Sequence, residues 1–164
     1  MIISLKNKDT LHVDDFKFKC CIGKNGLSKK KIEGDKKTPM GLFQLGDLYF
    51  RKDRIKRPTS NLKKNVIKQN MGWCNDVTNK KKYNKLFKIN NKIKHEILFR
   101  KDYKYDLLIP IKYNYEKPVP GRGSCIFIHL TKNYEPTAGC VAIKKKDFLI
   151  MCRLINKNTK IQIF

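Results

Sequence analysis

Arginine is scarce in this sequence, although the chain is strongly basic. Only six of the 38 basic residues are Arg, and with 14 acidic residues the formal net charge is +24. Lysine interacts with phosphate as a point charge, whereas arginine makes the bidentate hydrogen bonds that sequence-specific nucleic-acid-binding proteins use. We therefore expect non-specific contact with polyanions such as nucleic acid, anionic lipid or acidic polymers, and no dedicated nucleic-acid function.

Long hydrophobic runs are also missing. No stretch of about 18 apolar residues is uninterrupted, so we expect no transmembrane segment. Lys6 and Lys8 break the apolar start of the chain before the hydrophobic region of about 7–15 residues that a signal peptide needs. The chain has 164 residues, 40% of them hydrophobic, which predicts one folded domain over residues 1–164. We expect it to be a monomer.

Metal-binding spacings are absent as well. The sequence contains neither CxxC nor HExxH, and its six cysteines are too sparse for a disulfide scaffold. Cys125 and His129 would share one face of a strand, but they would lie about 13 Å apart. Zinc ligands lie only about 2.0–2.3 Å from the metal, so we expect no metal site there. We expect no cofactor either.

Short apolar or alternating segments, each closed by turn residues, predict a mostly β fold. One helix is predicted between Asp147 and Lys157, because apolar residues recur there at steps of three and four. The predicted strands are residues 1–5, 10–13, 16–22, 42–48, 105–113, 124–130, 140–143 and 159–164.

Residues 51–94 form a long, polar, lysine-rich segment. We interpret it as an irregular elaboration or lid rather than a linker, because large apolar residues are available to anchor it. Trp73 is one such anchor, and stacking on a ligand is its alternative use.

The chemically informative segment is residues 124–147. His129 ends one predicted strand, and Cys140 opens the next, eleven positions later. Beside an imidazole, a thiol is held as thiolate when its pKa falls from about 8.5 into the range of about 3.5–7.5. Gly139 has no Cβ, so a substrate carbonyl has room to approach the sulfur and nearby backbone N–H groups. On spacing alone, a buried structural cysteine with a core histidine is an equally good interpretation.

The motifs around these two residues resemble those of a known family. IFIH at residues 126–129 and PTAGCVA at residues 136–142 are similar to the active-site signature of the L,D-transpeptidase catalytic domain (YkuD-type) family. GDKKTPMG at residues 34–41 resembles the G-x-x-x-T-P-x-G turn of that family. GWCN at 72–75, HE at 95–96, Arg100, YD at 105–106 and GRGS at 121–124 resemble a proteobacterial branch of it.

The resemblance implies a YkuD-like β-sandwich with one helix after the catalytic strand. It implies that Cys140 is the acylated nucleophile and His129 its proton acceptor, while Thr137 and Gly139 shape the turn and the oxyanion site. Among further substrate contacts, Arg122 would hold a carboxylate, with a solvated turn arginine as the alternative. His95 would contact substrate beside Glu96, with a surface polar pair as the alternative.

The implied activity is a cysteine-dependent L,D-transpeptidase of cell-wall peptidoglycan, acting on stem tetrapeptides of muropeptides through a thioester. That substrate class implies the periplasm or cell envelope, although no signal peptide is visible. Most relatives have His where this chain has Ala138, which leaves the acyl acceptor and the cross-link type open. Two alternatives remain: an L,D-carboxypeptidase or peptidase with the same dyad, and a non-enzymatic polyanion-binding protein that uses residues 51–94.

Overall fold

The computed structural model describes residues 1–89 and 92–164 of the chain. Within this described part, the chain forms fifteen strands and one helix. In chain order these are β1 Ile2–Asn7, β2 Thr10–Val13, β3 Phe16–Cys21, β4 Leu27–Ser28, β5 Thr38–Pro39, β6 Gly41–Gln44, β7 Leu48–Phe50, β8 Lys64–Val66, β9 Met71–Cys74, β10 Leu86–Lys88, β11 His95–Ile97, β12 Leu107–Pro110, β13 Phe127–Leu130, β14 Val141–Ile143, α1 Lys145–Leu154 and β15 Lys160–Ile163.

The described strands build one large mixed sheet and two small ones. The large sheet has the order β6-β15-β1-β2-β3-β14-β13-β12-β7-β8. Three of its pairings are parallel, namely β1 with β15, β13 with β14, and β7 with β8. The sheet curls around its own core, so the predicted mostly β sandwich with one helix, which follows β14, is confirmed.

Alternation along the central strands separates two apolar clusters. Ile109, Ile128 and Val141 face the larger cluster, which also receives the buried side of α1. Leu108 and Phe127 face the smaller cluster on the opposite side. Successive side chains of a strand point to opposite faces of the sheet. The residues two positions before and two positions after Phe127 therefore lie on the same side as the smaller cluster.

The segment 51–94 contains three of the short strands, β8, β9 and β10. Strand β9 pairs with β10 and β11 in a three-stranded sheet. Trp73 and Tyr83 of this segment are almost completely buried, and Trp73 packs edge-on against Phe127 with 5.2 Å between ring centroids. Trp73 therefore anchors this segment, which was one of its two predicted uses. Residues 90 and 91 lie outside the described residues.

Helix α1 follows β14 directly and is shorter than the sequence pattern indicates. Its apolar face buries Phe148, Met151 and Cys152. It ends at Leu154, because Ile155 adopts extended backbone angles and not helical ones, so the predicted extension to Lys157 is wrong. In the described part of the chain, no helix is long and apolar enough to cross a membrane.

Candidate active site

Two neighbouring parallel strands bring His129 and Cys140 to the same face of the large sheet. The register pairs Ile128 with Val141 and His129 with Ala142, and Cys140 immediately precedes β14. Because side chains alternate between faces, Cys140 and Ala142 share the face of His129. Cys140 and His129 both line one cavity of about 190 Å³, which we call the His129 cavity.

The imidazole of His129 is oriented by its own backbone neighbour. Its Nδ1 lies 2.9 Å from the carbonyl oxygen of Leu130. A carbonyl only accepts hydrogen bonds, so in the neutral ring Nδ1 carries the proton and Nε2 carries the lone pair. The ring of Tyr105 packs edge-on at 5.2 Å between centroids and limits the tilt of the imidazole.

The thiol of Cys140 has two backbone partners in the structure. It donates to the carbonyl oxygen of Cys125 at 3.2 Å, and its sulfur accepts a hydrogen bond from the N–H of Phe127 at 3.4 Å. Cys125 adopts a left-handed backbone conformation with φ of 55°, which turns its carbonyl toward the sulfur. The thiol is thus held at a fixed place at the start of β14.

Burial sets the charge states of the pair. Loss of water raises the pKa of Cys140 to about 12, although the N–H of Phe127 opposes this shift. Burial lowers the pKa of His129 to about 4, and the hydrogen bond to Leu130 opposes that shift. Burial thus favours the neutral form of both groups, whereas the sequence pattern led us to expect a thiolate; the charge state of the pair stays a prediction.

A second cavity adjoins the sulfur from the other side. It has a volume of about 300 Å³, and we call it the Glu33 cavity. Four residues line both this cavity and the His129 cavity: Glu96, Tyr105, Ala138 and Cys140. Cys140 therefore lies where the two cavities adjoin, which is an arrangement that suits a reaction between two groups.

The turn before Cys140 is fixed by short hydrogen bonds. The Thr137 hydroxyl donates to the carbonyl oxygen of Cys140 at 2.7 Å and accepts from the N–H of Gly139 at 3.0 Å. Gly139 has φ of 141°, and an added Cβ would lie 2.8 Å from the carbonyl oxygen of Lys37. Thr137 and Gly139 therefore shape this turn, and their predicted part in an oxyanion site stays a prediction.

The structure does not bring the other two predicted substrate contacts to the sulfur. Arg122 is exposed and lines a separate basic cavity with Lys29 and Lys30. The His95 ring packs edge-on against Phe87, and its Nδ1 lies 2.6 Å from the carbonyl oxygen of Ile93. Neither residue lines the two cavities at Cys140, so their roles as substrate contacts remain predictions.

Sequence reasoning considered Glu96 only together with His95, with a surface polar pair as the alternative, and it did not single out Tyr105 as a site residue. Glu96 follows His95 on β11, so it points to the opposite face and lines both cavities. Tyr105 lies between the two cavities, and its ring is also 5.0 Å from the guanidinium of Arg100. The HE pair at residues 95–96 and the YD pair at residues 105–106 were the available sequence signals. Strand alternation predicts that only one member of the HE pair points toward the site.

An imidazole on β13 and a thiol immediately before the adjacent parallel strand β14, beside a shared cavity, define a candidate cysteine-nucleophile site in a β-sandwich. The model of the L,D-transpeptidase catalytic domain family (YkuD) matches residues 2–163. The chain therefore belongs to this family, whose members are L,D-transpeptidases that act on peptidoglycan peptides. Neither the search of the curated proteins nor that of the solved structures found a match.

Proposed function

We propose that this protein is an L,D-transpeptidase that acts on peptidoglycan stem tetrapeptides through a thioester on Cys140, with His129 as the general base. The observation that supports the proposal is the shared His129 cavity, which Cys140 and His129 both line in a chain of this family, while Nδ1 of His129 is bound to the Leu130 carbonyl and Nε2 remains for proton transfer.

The first step begins from a neutral pair. The sulfur attacks the carbonyl of the third, diaminopimelate-type residue. At the same time the thiol gives up its hydrogen bond to the Cys125 carbonyl and transfers its proton to Nε2 of His129. The tetrahedral intermediate then expels the nitrogen of the terminal D-alanine, which takes the proton from His129. The products of this step are a thioester, free D-alanine and a neutral imidazole.

The second step resolves the thioester. An amine of a second stem attacks the thioester carbonyl and loses a proton to His129; the C–S bond then breaks, and the departing sulfur takes that proton from His129, so that the cross-link, the thiol and a neutral imidazole result. Water in place of the amine gives trimming, which would make the protein an L,D-carboxypeptidase. The cations Arg100, Lys104 and Lys132 line the His129 cavity and support binding of the D-alanine carboxylate there.

The deciding experiment is incubation of the purified protein with defined muropeptides, followed by mass analysis. We expect D-alanine release together with cross-linked products, and both signals should vanish in Cys140→Ala and in His129→Ala. Cys152→Ala is the matched control, because it removes a buried thiol of α1 that packs in the larger apolar cluster, whereas Cys140 packs in the smaller one. Release of D-alanine without any cross-linked product would identify the carboxypeptidase alternative.

The site of acylation is tested separately with a carbapenem. We expect the intact mass of the wild-type protein to increase by one drug molecule, because the β-lactam carbonyl is open to attack by a positioned thiol. An adduct that persists in Cys140→Ala would refute Cys140 as the nucleophile.

A further inference from the structure

We propose that Lys31 is a further functional residue of the site, whose buried ammonium stabilises the negative charge that develops on the Cys140 sulfur and on the substrate carbonyl during acylation. This inference rests on the proposed function for the reaction that the charge serves. It assigns a charge-stabilising part to a lysine outside the Cys140 and His129 pair and outside the motifs that resemble the family.

The first observation is the burial of this lysine. Its side chain is only 3% exposed, although it lines the Glu33 cavity together with Cys140. The other two lysines that line this cavity, Lys36 and Lys94, are exposed. Water screens an exposed charge strongly, whereas a buried charge is screened much less. Among these three lysines, the charge of Lys31 therefore acts on the site with the least screening.

The second observation is the space that two glycines leave for the side chain. A Cβ added at Gly139, the residue directly before Cys140, would lie 3.4 Å from Nζ of Lys31. A Cβ added at Gly123 would lie 2.8 Å from Cε of the same side chain. The lysine therefore lies against the segments that precede β13 and β14, and its charge lies beside the backbone of the turn that carries the thiol.

The third observation is the partner that holds the ammonium in place. Nζ of Lys31 donates to Oδ1 of Asp35 at 2.6 Å. The carboxylate of Asp35 also accepts hydrogen bonds from the N–H groups of Ile32 and Lys37, each at 2.9 Å. These bonds fix the carboxylate in its loop, and the two N–H dipoles offset part of its negative charge. The ion pair thus positions the ammonium without cancelling its field completely.

The charges around Cys140 act on its thiol in opposite directions. Burial raises the pKa of Cys140 to about 12, and the N–H of Phe127 opposes this shift. Glu96 raises the pKa further, whereas Lys31 lowers it. Lys31 is therefore a group that favours the anionic sulfur where burial and a glutamate both disfavour it.

The proposed reaction has two anionic states that this cation stabilises. The sulfur carries negative charge when the thiol has transferred its proton to His129, and the carbonyl oxygen takes that charge when the C–S bond forms. A fixed cation nearby stabilises both states with no reorganisation at the moment of reaction. Lys31 itself transfers no proton, and its ammonium stays bound to Asp35 throughout.

The alkylation rate of Cys140 provides a test that does not depend on turnover. Iodoacetamide is a neutral reagent that reacts with thiolate, and mass analysis of the peptide that contains Cys140 follows the reaction. Lys31→Met keeps the length of the side chain and removes its charge. We expect this variant to lower the initial rate at about pH 8 by at least about tenfold, as the loss of an opposite charge close to a thiolate does.

Lys94→Met is the matched control for this measurement. It removes the same charge from the same cavity, but at an exposed position. Because solvent screens that charge, we expect the alkylation rate of Cys140 to change by less than about twofold. A rate in Lys31→Met equal to that of the wild-type protein would overturn the proposal.

Asp35→Asn separates the effect of the charge from that of the ion pair. It breaks the same pair but keeps the ammonium, so the alkylation rate should not fall below the wild-type rate. Lys31→Met combined with Asp35→Asn leaves neither member buried without its partner, so we expect the double variant to fold, which circular dichroism checks, and to react as slowly as Lys31→Met. Equal slowing in Asp35→Asn and Lys31→Met would show a purely structural ion pair and overturn the proposal.

Turnover links the charge to the proposed reaction. We expect kcat for D-alanine release to fall at least about tenfold in Lys31→Met while KM changes by less than about threefold, because the charge acts on the transition state. A raised KM with an unchanged kcat would overturn the proposal and assign Lys31 to substrate binding. Slower alkylation of Lys31→Met, in a protein that releases no D-alanine, would refute the proposed reaction and leave the effect of Lys31 on the thiol intact.

Discussion

Cys140 and His129 illustrate how burial changes a catalytic pair. In water the two groups exchange a proton over a small pKa gap, but here burial raises the pKa of Cys140 to about 12 and lowers that of His129 to about 4. Charge separation is therefore unfavourable until a substrate carbonyl is present to take the developing negative charge. The resting thiol is protected against adventitious alkylation by the same effect.

The pH dependence of the activity tests this assignment. Protonation of Nε2 removes the base, so activity falls only as the pH drops toward the lowered pKa of His129. We expect kcat/KM to change by less than about twofold between about pH 7 and pH 5.5, whereas a histidine with an ordinary pKa would cost about tenfold.

Initial rates of D-alanine release across this pH range provide the measurement, and circular dichroism confirms that the protein stays folded. An acid limb centred near the ordinary histidine value of 6.5 would contradict a buried, neutral His129.

At the scale of elements, Asn84 connects the three-stranded sheet to the strand that carries His129. Its Oδ1 accepts from the Trp73 indole N–H at 3.0 Å and from the N–H of Cys125 at 3.1 Å. Its Nδ2 donates to the carbonyl oxygens of Tyr113 and Asn114. One buried amide thus joins β9, the loop after β12 and the segment that precedes β13.

We expect Asn84→Ala to lower the free energy of unfolding by about 3–5 kcal/mol, because several buried partners lose their hydrogen bonds. Part of that loss arises because alanine is strained in the left-handed backbone conformation of residue 84, which has φ of 54°. Asn84→Gly removes this part and should still cost about 2–4 kcal/mol.

Urea denaturation provides the measurement, and Asn158→Ala, at an exposed position, is the control that should stay within about 0.5 kcal/mol of the parent. A parent-like midpoint for Asn84→Gly would show that these four hydrogen bonds do not join the elements.

The strands that the sequence predicted are those with alternating or continuous apolar residues. The predicted strand 10–13 coincides with β2, and the strands that carry the site, β13 and β14, fall inside their predicted segments. The predicted strand 42–48 divides into β6 and β7, because the N–H of Gly46 donates to the carbonyl oxygen of Pro110 between them.

The strands β8 to β11 were not predicted from the sequence. They are only three or four residues long, and β8, β10 and β11 are only partly buried, so their periodicity is weak. The Glu33 cavity was missed for the same reason, since Asn75 and Glu96 come from this sheet and its flank. The Cys140 and His129 pair was predictable because both residues lie on strongly apolar strands, whereas their neutral charge states depend on burial that only the packed structure provides.

At the scale of the whole molecule, the net charge of +24 is spread over several surfaces. An open cavity of about 680 Å³ is lined by Lys8, Lys19 and Lys24, and Arg122 lies in another basic cavity with Lys29 and Lys30. We therefore expect binding to polyanions to involve several segments, so that substitution of lysines in residues 51–94 alone should remove only part of it.

We expect binding to a labelled polyanion, measured by fluorescence anisotropy, to weaken linearly on a plot of log affinity against log salt concentration. Cys140→Ala should bind identically to the wild-type protein, because the thiol is buried and uncharged. Salt-independent binding, or binding that depends on Cys140, would contradict a diffuse electrostatic origin.

The sheet order has a consequence for the order in which the chain folds during synthesis. Strand β15 lies between β6 and β1 and pairs with both, although residues 160–163 leave the ribosome long after the other two strands. Until they emerge, β6 has no neighbour that joins it to the sheet, and the edge of β1 stays open. The sandwich therefore closes after translation of this strand, when the sheet's pairings of widest sequence separation form last.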